Sequence, residues 1–370
     1  MIVGRYDYPS QFPEIDRTVA EIRDVLLSGR YVLGREVEAF ERQFGAFLGV
    51  DHVVGVNSGT DGLILSLMAL GIGRGDEVIT QANTFYATVA AIRFVGARPV
   101  LVDPVEDTAL IDPEAVAEAI TERTRAIIPV HLFGKATDLG PLRALAKRHG
   151  LAILEDAAQC HGARAGGVMA GTQGDIASFS FHPSKNLAAA GDAGAIATSS
   201  PVIAEKLRAL RALGQKRQND HVVLGMNSKL DTIQAIVLSA KLPMLAGWNE
   251  ERRAIAARYR VGLGGMPLRF QQWDQAAGEE HVFHLFQIRT GRRDALLAYL
   301  EAAGIDAVVR YPVPIHLQPA FADQGWRPGQ FPIAEALANE CLCLPLRPGQ
   351  SAAQTDHVID QVAGFFARHG

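Results

Sequence analysis

The chain has 370 residues, of which 48% are hydrophobic and 21% are charged, with a formal net charge of -4 and a pI near 6.3. This composition is that of a folded globular protein with a large and a smaller core, and it lacks the basic surface of a nucleic-acid-binding protein. No apolar run approaches the roughly 20 residues needed to span a bilayer, and no secretory signal segment opens the sequence. The three cysteines, Cys160, Cys341 and Cys343, lack zinc spacing. We therefore expect a cytoplasmic protein that binds neither nucleic acid, membrane nor metal.

An amino-terminal arm with a helix over 15–27 precedes a long region in which short aliphatic runs alternate with helix-like segments. This alternation predicts an α/β fold with a parallel sheet and crossover helices. Strands are predicted over 53–57, 77–80, 99–102, 125–130, 151–154, 176–181 and 193–198, and helices over 59–70, 85–95, 113–120, 138–149 and 201–213. Parallel strands present their carboxyl ends to a ligand crevice, so the polar residues that follow them form the candidate site.

The pattern changes after residue 230, where 230–263 predicts one or two long helices with a break near Pro243. Beyond it, the sequence predicts a compact α+β unit. Its elements are strands over 282–289 and 307–310 and helices over 293–303, 333–340 and 352–368. We therefore expect two domains, the arm and large domain over 1–245 and a smaller domain over 246–370.

Lys185 lies between an apolar strand and a glycine-rich turn, in the run Ser-Phe-Ser-Phe-His-Pro-Ser-Lys-Asn. Out of bulk water an ammonium is disfavoured and the amine becomes a nucleophile, as Schiff-base chemistry requires. A lysine in a turn is more often a solvated surface residue. The interpretation is strengthened by Asp156, which ends an apolar strand upstream and is followed by Gln159.

Asp156 has several open interpretations, namely a carboxylate that pairs with a protonated ring nitrogen, a supporting acid, a metal ligand or a helix cap. The run Ser58-Gly59-Thr60 follows a strand and opens a helix, which favours either a phosphate site or an ordinary helix cap. Ser180 could supply a hydroxyl to the same phosphate. Phe85 could stack on a flat ring or belong to the core.

Eight segments in chain order resemble the DegT/DnrJ/EryC1/StrS family of pyridoxal-phosphate-dependent sugar aminotransferases. They are 31–34 (Tyr-Val-Leu-Gly) with 40–41, 57–60 (Asn-Ser-Gly-Thr), 75–79, 96–100, 129–134, 155–159 (Glu-Asp-Ala-Ala-Gln), 180–186 and 227–231. The resemblance implies a fold type I, aspartate aminotransferase-like enzyme with a mostly parallel seven-stranded sheet. It also implies pyridoxal 5′-phosphate as cofactor, with pyridoxamine phosphate as its aminated form.

By position, the resemblance implies that Lys185 is the Schiff-base lysine. Asp156 would contact the pyridine nitrogen, Gln159 the ring hydroxyl and Phe85 the ring face. The phosphate would be held by Ser58, Gly59, Thr60 and Ser180, and by Asn227 from the neighbouring subunit. A homodimer with shared active sites is therefore expected.

Within the family, the segments around Lys185 and 227–234 resemble 3-aminotransferases that act on TDP-linked 3-keto-6-deoxyhexoses, with L-glutamate or L-glutamine as amino donor. UDP-linked 3-keto sugars, 4-keto sugars and cyclitols are the alternative substrates. Tyr31, Tyr311 and His316 are the expected substrate contacts, and His182 replaces an expected aromatic residue.

Two other functions compete with this interpretation. A cysteine desulfurase would need a reactive cysteine, for which Cys341 and Cys343 are candidates, but both lie in an apolar strand and resemble core thiols. A cofactor-bound regulator would need a DNA-binding segment, and no basic helix-turn-helix pattern is left unassigned.

Overall fold

A seven-stranded sheet forms the centre of the computed structural model, which describes residues 1–12, 14–276 and 278–369. The strands are β1 (His52–Val56), β2 (Glu77–Gln81), β3 (Arg98–Val102), β4 (Thr124–Ile128), β5 (Ala152–Asp156), β6 (Arg164–Ala165), β7 (Val168–Met169), β8 (Ile176–Ser180), β9 (Gly194–Thr198), β10 (Gln215–Arg217), β11 (Asp220–His221), β12 (Arg269–Phe270), β13 (Phe286–Arg289) and β14 (Cys341–Leu344).

The helices are α1 (Ile15–Ser28), α2 (Arg35–Leu48), α3 (Gly59–Ala69), α4 (Tyr86–Phe94), α5 (Pro113–Ala119), α6 (Gly140–His149), α7 (Pro201–Leu210), α8 (Thr232–Lys241), α9 (Leu245–Gly262), α10 (Arg293–Ala302), α11 (Pro332–Glu340) and α12 (Ala352–His369). Short 3-10 helices lie at Pro9–Gln11, Leu132–Gly134, Leu242–Met244, Ile315–Leu317 and Pro319–Gln324. None of the helices in the described residues is long and apolar enough to cross a membrane.

The order of the large sheet is β1-β9-β8-β5-β4-β2-β3. Strands β3, β2, β4, β5 and β8 run parallel, and β9 is antiparallel to both β8 and β1. Because β9 is reversed with respect to both neighbours, β1 runs in the same direction as β8. The predicted α/β class and the mostly parallel seven-stranded sheet are confirmed.

Apolar side chains cover both faces of this sheet. On one face, Phe44 of α2 lies between Phe40, Phe179 and Phe181, with ring centroids 5.1 to 5.7 Å apart. Helix α2 was not among the predicted elements, although its apolar residues recur at helical spacing. On the other face, α3 packs against β8 and β9.

The carboxyl-terminal part builds a second core on the antiparallel sheet β12-β13-β14, covered by α9, α10 and α12. Val3, near the other end of the chain, joins this core through a parallel bridge to Ile305. The helix break predicted near Pro243 coincides with the 3-10 helix Leu242–Met244. Helix α9 begins at Leu245, but it packs against both cores, and the domain boundary at 245/246 stays a prediction.

Two predicted strands of this part are shorter than expected. The strand predicted over 282–289 begins only at Phe286, because Val282 and Leu285 bond instead to the backbone of Gly134 and Phe133. The strand predicted over 307–310 is reduced to a single bridge between Val308 and Cys343.

We expect Phe44→Ala to lower the free energy of unfolding by about 3 to 5 kcal/mol, because it opens a cavity among three fully buried rings. Phe94→Ala is the matched control, since Phe94 is 72% exposed and its loss should change stability by less than about 0.5 kcal/mol. Denaturant titration followed by circular dichroism measures both. Equal losses for the two variants would contradict this account of the core.

Candidate active site

One edge of the large sheet carries a cavity of about 300 Å³. Because β1, β5 and β8 run in one direction, their carboxyl ends meet at this edge, which brings Ser58, Asp156 and Ser180 together. The cavity is lined by Tyr6, Ser58, Gly59, Thr60, Leu63, Phe85, Ala87, Val130, Asp156, Ala158, Gln159, Ser180, His182, Ser184, Lys185, Asp192, His284, Leu285, Arg310 and Tyr311. The cofactor contacts predicted within one chain therefore all line one cavity, together with Tyr311.

The first turn of α3 forms one end of the cavity. The hydroxyl of Ser58 accepts a hydrogen bond from the amide of Asp61 at 3.1 Å, so Ser58 is the helix cap. The amides of Gly59 and Thr60 have no acceptor within the helix, which leaves them and the positive end of the helix dipole for an anion. A side chain at Gly59 would place its Cβ 2.7 Å from the Cβ of Ser180, so the close approach of α3 to β8 requires glycine. The turn can therefore cap the helix through the Ser58 hydroxyl and, at the same time, bind an anion through the amides of Gly59 and Thr60.

Asp156 is buried at the end of β5. Its Oδ2 accepts a hydrogen bond from the Thr88 hydroxyl at 2.8 Å, and its Oδ1 accepts one from the amide of Ala158 at 3.2 Å. Burial raises the pKa of Asp156, and these two hydrogen bonds oppose the rise. No cation lies within ion-pair distance of this carboxylate in the described part of the chain. A buried carboxylate without a cation fits a ligand that brings a protonated ring nitrogen.

Lys185 faces the same cavity. The pKa of its amine is lowered to about 8, chiefly by burial; the charge of Asp156 opposes the decrease and that of Arg310 adds to it. At pH 7 about a tenth of the amine is unprotonated, several hundred times more than for a solvated lysine. No hydrogen bond or ion pair engages its Nζ among the residues the structure describes. These properties fit a nucleophilic amine.

An aromatic wall closes one side of the cavity. The rings of Phe85 and Tyr311 lie 5.4 Å apart with planes tilted by 37°. Gln159 accepts a hydrogen bond from the amide of Phe133 at 2.7 Å and donates one to the Tyr311 hydroxyl at 3.0 Å. One amide hydrogen of Gln159 remains for a ligand. The wall can therefore bind a flat ring and one of its polar substituents.

Three predicted residues lie outside this cavity. His316 is buried with its Nε2 2.9 Å from a carboxylate oxygen of Glu335, and its expected contact with the sugar stays a prediction. His316 lies within the short 3-10 helix Ile315–Leu317. Tyr31 and Asn227 are both exposed on the surface, and the Tyr31 hydroxyl donates to the carbonyl of Leu26. For these two, a contact across a subunit boundary stays a prediction.

Several residues of the site were absent from the prediction: Tyr6, His284 and Arg310 line the cavity, and Thr88 supports Asp156 from behind. Thr88 could have been found, because it lies one helical turn after Phe85 and therefore on the same face of α4. Tyr6, His284 and Arg310 come from distant segments that only tertiary packing brings to the sheet edge.

Two other interpretations, a reactive cysteine and a metal site, find no support among the described residues. Cys341 and Cys343 are buried, and burial raises the pKa of both thiols, that of Cys341 to about 12. Neither is therefore an exposed persulfide carrier. No three His, Cys, Asp or Glu side chains in residues 1–12, 14–276 and 278–369 are grouped to hold a metal ion.

Comparison with known proteins gives one family. Residues 14–363 match the model of the DegT/DnrJ/EryC1/StrS aminotransferase family. The dTDP-3-amino-3,4,6-trideoxy-alpha-D-glucose transaminase of Streptomyces venezuelae is 49% identical over 351 residues, 95% of this chain and 92% of that protein.

Solved structures agree with this match. The crystal structure of S. venezuelae DesV in complex with a ketimine intermediate superposes with a TM-score of 0.97 at 46% identity, covering 100% of both chains. Bacillus subtilis NtdA, solved with its cofactor PMP bound, superposes with a TM-score of 0.91 at 31% identity, covering 99% of this chain and 85% of that one.

We expect Thr88→Val to weaken binding of pyridoxal 5′-phosphate by roughly 10- to 100-fold, because Asp156 loses a hydrogen bond that stabilises its charged form. Fluorescence titration of the apoenzyme with the cofactor measures the affinity. Thr80→Val is the matched control, since Thr80 is equally buried and donates to the carbonyl of Ile128 outside the cavity. Unchanged affinity in Thr88→Val would show that Thr88 does not support Asp156.

Proposed function

This chain belongs to the DegT/DnrJ/EryC1/StrS aminotransferase family, and we propose that it transfers an amino group from L-glutamate or L-glutamine to the C3 carbonyl of a TDP-linked 3-keto-6-deoxyhexose. One observation carries the proposal, the enclosure of an amine of lowered pKa and a buried carboxylate in one cavity. The 49% identity to a dTDP-3-amino sugar transaminase supports the substrate.

The residues of the cavity fit pyridoxal 5′-phosphate, the cofactor of this family. When bound, it supplies an electrophilic carbonyl carbon and an electron-withdrawing pyridinium ring. Asp156 would hold the proton on the ring nitrogen, and Phe85 would cover the ring face. The remaining amide hydrogen of Gln159 would reach the ring hydroxyl. The phosphate would be held by Ser58, Gly59, Thr60 and Ser180.

Lys185 performs the proton transfers. In its unprotonated form, its Nζ accepts a proton from a substrate carbon, and as an ammonium it returns the proton to another carbon. A pKa of about 8 suits both directions near neutral pH, because neither form is scarce. Asp156 would remain ionised during these transfers, because it would face the protonated ring nitrogen of the bound cofactor.

Arg310 supports a carboxylate-bearing amino donor. Its guanidinium lines the cavity near Lys185, and no carboxylate of the described residues pairs with it. A guanidinium binds a carboxylate with two parallel hydrogen bonds, which orients the α-carbon of an amino acid. We infer that the donor enters with its carboxylate at Arg310.

A second copy of this chain is the proposed partner. Tyr31, Val32 and Leu33 are 50%, 51% and 37% exposed, and Leu33 shares a surface groove with Val222 and Val223. Charged residues such as Glu205 and Arg208 surround these apolar side chains in the groove, and exposed apolar groups rimmed by polar residues mark association sites. Asn227 lies on this side of the molecule, next to the segment 228–232 that bonds to Tyr31. In a symmetric dimer it would reach the partner's phosphate site.

The substrate is tested with purified enzyme in its pyridoxamine form, mixed with TDP- and UDP-linked 3-keto and 4-keto sugars. We expect a TDP-linked 3-keto sugar to restore the pyridoxal absorbance fastest. Lys185→Ala should lower turnover by a factor on the order of 10² to 10⁴ or more, since it removes the proton-transfer group. Lys147→Ala is the control, because Lys147 is exposed in the last turn of α6 and lines neither the cavity nor the groove.

A Lys185→Ala variant that turns over at the rate of the Lys147→Ala control would exclude the proposed chemistry. Restoration by a UDP-linked or 4-keto sugar in preference to a TDP-linked 3-keto sugar would retain the chemistry and reject the substrate.

The shared active site is tested by mixing two inactive variants, Lys185→Ala and Asn227→Ala, under conditions that allow subunits to exchange. A mixed dimer has one site with both Lys185 and Asn227 intact, so an equal mixture should recover about a quarter of wild-type activity. Enzyme assay and analytical ultracentrifugation measure recovery and mass. No recovery from a mixture that does exchange subunits would show that Asn227 serves the site of its own subunit, and an active Asn227→Ala variant would show that it serves no site.

A further inference from the structure

His284 lines the cavity but has no role in the chemistry described above. Its backbone is firmly placed, because Val282 donates to the carbonyl of Gly134 at 3.0 Å and Leu285 donates to that of Phe133 at 3.2 Å. A side chain at Gly134 would put its Cβ 2.7 Å from the amide nitrogen of His284. His284 therefore lies on a segment that packs tightly against the backbone of Phe133 and Gly134.

A buried amide network defines which nitrogen of His284 carries the hydrogen. Asn186, the residue after Lys185, donates from Nδ2 to Oδ1 of Asn249 at 3.0 Å and to the carbonyl of Val282 at 2.9 Å. Asn249 in turn donates to the carbonyl of His161 at 2.8 Å. Both amide hydrogens of Asn186 are thus used, and its Oδ1 can only accept. The Nδ1 of His284, 3.3 Å from that oxygen, must be the donor.

The ring of His284 is neutral. Burial and the positive charges around it hold the pKa of His284 well below its usual range. The charged and titratable groups that act on it are Lys185, Arg252, His161 and Arg310. With its one hydrogen on Nδ1, the ring keeps an unprotonated Nε2 on the opposite side. No residue of the described chain bonds to this nitrogen, which is available to a ligand in the cavity.

An unprotonated ring nitrogen binds a hydrogen-bond donor. The carboxylates of an amino-acid donor are acceptors, so they suit Arg310 rather than His284. The hydroxyl groups of a sugar are donors. We propose that His284 is a substrate-binding residue whose Nε2 accepts a hydrogen bond from a ring hydroxyl of the keto sugar, in the tautomer that Asn186 and Asn249 enforce. This inference rests on the proposed function.

The test separates the two half-reactions and adds a binding measurement without cofactor. In His284→Phe, binding of TDP-6-deoxyglucose to the apoenzyme should weaken by roughly 10-fold, and KM for the keto sugar should rise similarly, because a neutral hydrogen bond is lost. The half-reaction with the amino donor should change by less than about twofold, since its carboxylate is bound elsewhere. Isothermal titration calorimetry and stopped-flow absorbance give these values.

Four further measurements distinguish a contact from a packing effect. His281→Phe is the matched control, because His281 is also buried, bonds to Gln271 at 2.9 Å and does not line the cavity. It should leave sugar binding unchanged. His284→Gln retains an acceptor and should recover part of the affinity, and His284→Asn, whose oxygen falls short, should not. A deoxy analogue of the sugar that lacks the hydroxyl bound by His284 should bind to wild type and to His284→Phe with equal affinity.

If His284→Phe and His284→Asn bind the sugar as tightly as wild type does, the role of His284 is overturned while the proposed function stands. A loss confined to the amino-donor half-reaction would have the same meaning. Failure of the wild-type enzyme to bind any TDP sugar would instead overturn the proposed substrate, and this inference with it.

Discussion

Desolvation acts in opposite directions on the two ionisable groups at the centre of the site. It lowers the pKa of Lys185 and raises that of Asp156, so each group by itself tends toward its neutral form. For the lysine this is useful, because a neutral amine is the reactive species. For the aspartate it is opposed by the Thr88 hydroxyl and the Ala158 amide, which favour the carboxylate. The site thus needs both enclosure and a small number of well-placed donors.

The direction of one strand makes this arrangement possible. Because β9 is reversed between β1 and β8, the anion-binding turn after β1 opens at the same edge as the carboxyl ends of β5 and β8. The glycine at position 59 then lets α3 approach Ser180 closely. Topology and a single missing side chain together set the distance between the phosphate end and the amine end of the cavity.

The sequence alone predicted the fold class, most of the large sheet and the residues at the strand ends, because strand alternation and the residues after each strand are local signals. Lys185, Asp156 and Ser58 belong to such local patterns. Tyr6, His284 and Arg310 do not, since they reach the site through long-range pairing. His316 shows another limit of local patterns. Its neighbours fit a family segment, but the orientation of its ring depends on a contact with Glu335 that no local pattern reveals.

The bridge between Val3 and Ile305 has a consequence for the order in which the molecule is made. Arg5 also bonds to Asp306, 301 positions away, and Tyr6 lies in the wall of the cavity. On the ribosome, the first residues to emerge must wait for almost the whole chain before they find their neighbours. The large sheet can form earlier, but the cavity wall closes only after the carboxyl-terminal sheet has folded. The nascent enzyme therefore acquires its complete site as one of the last events of its synthesis.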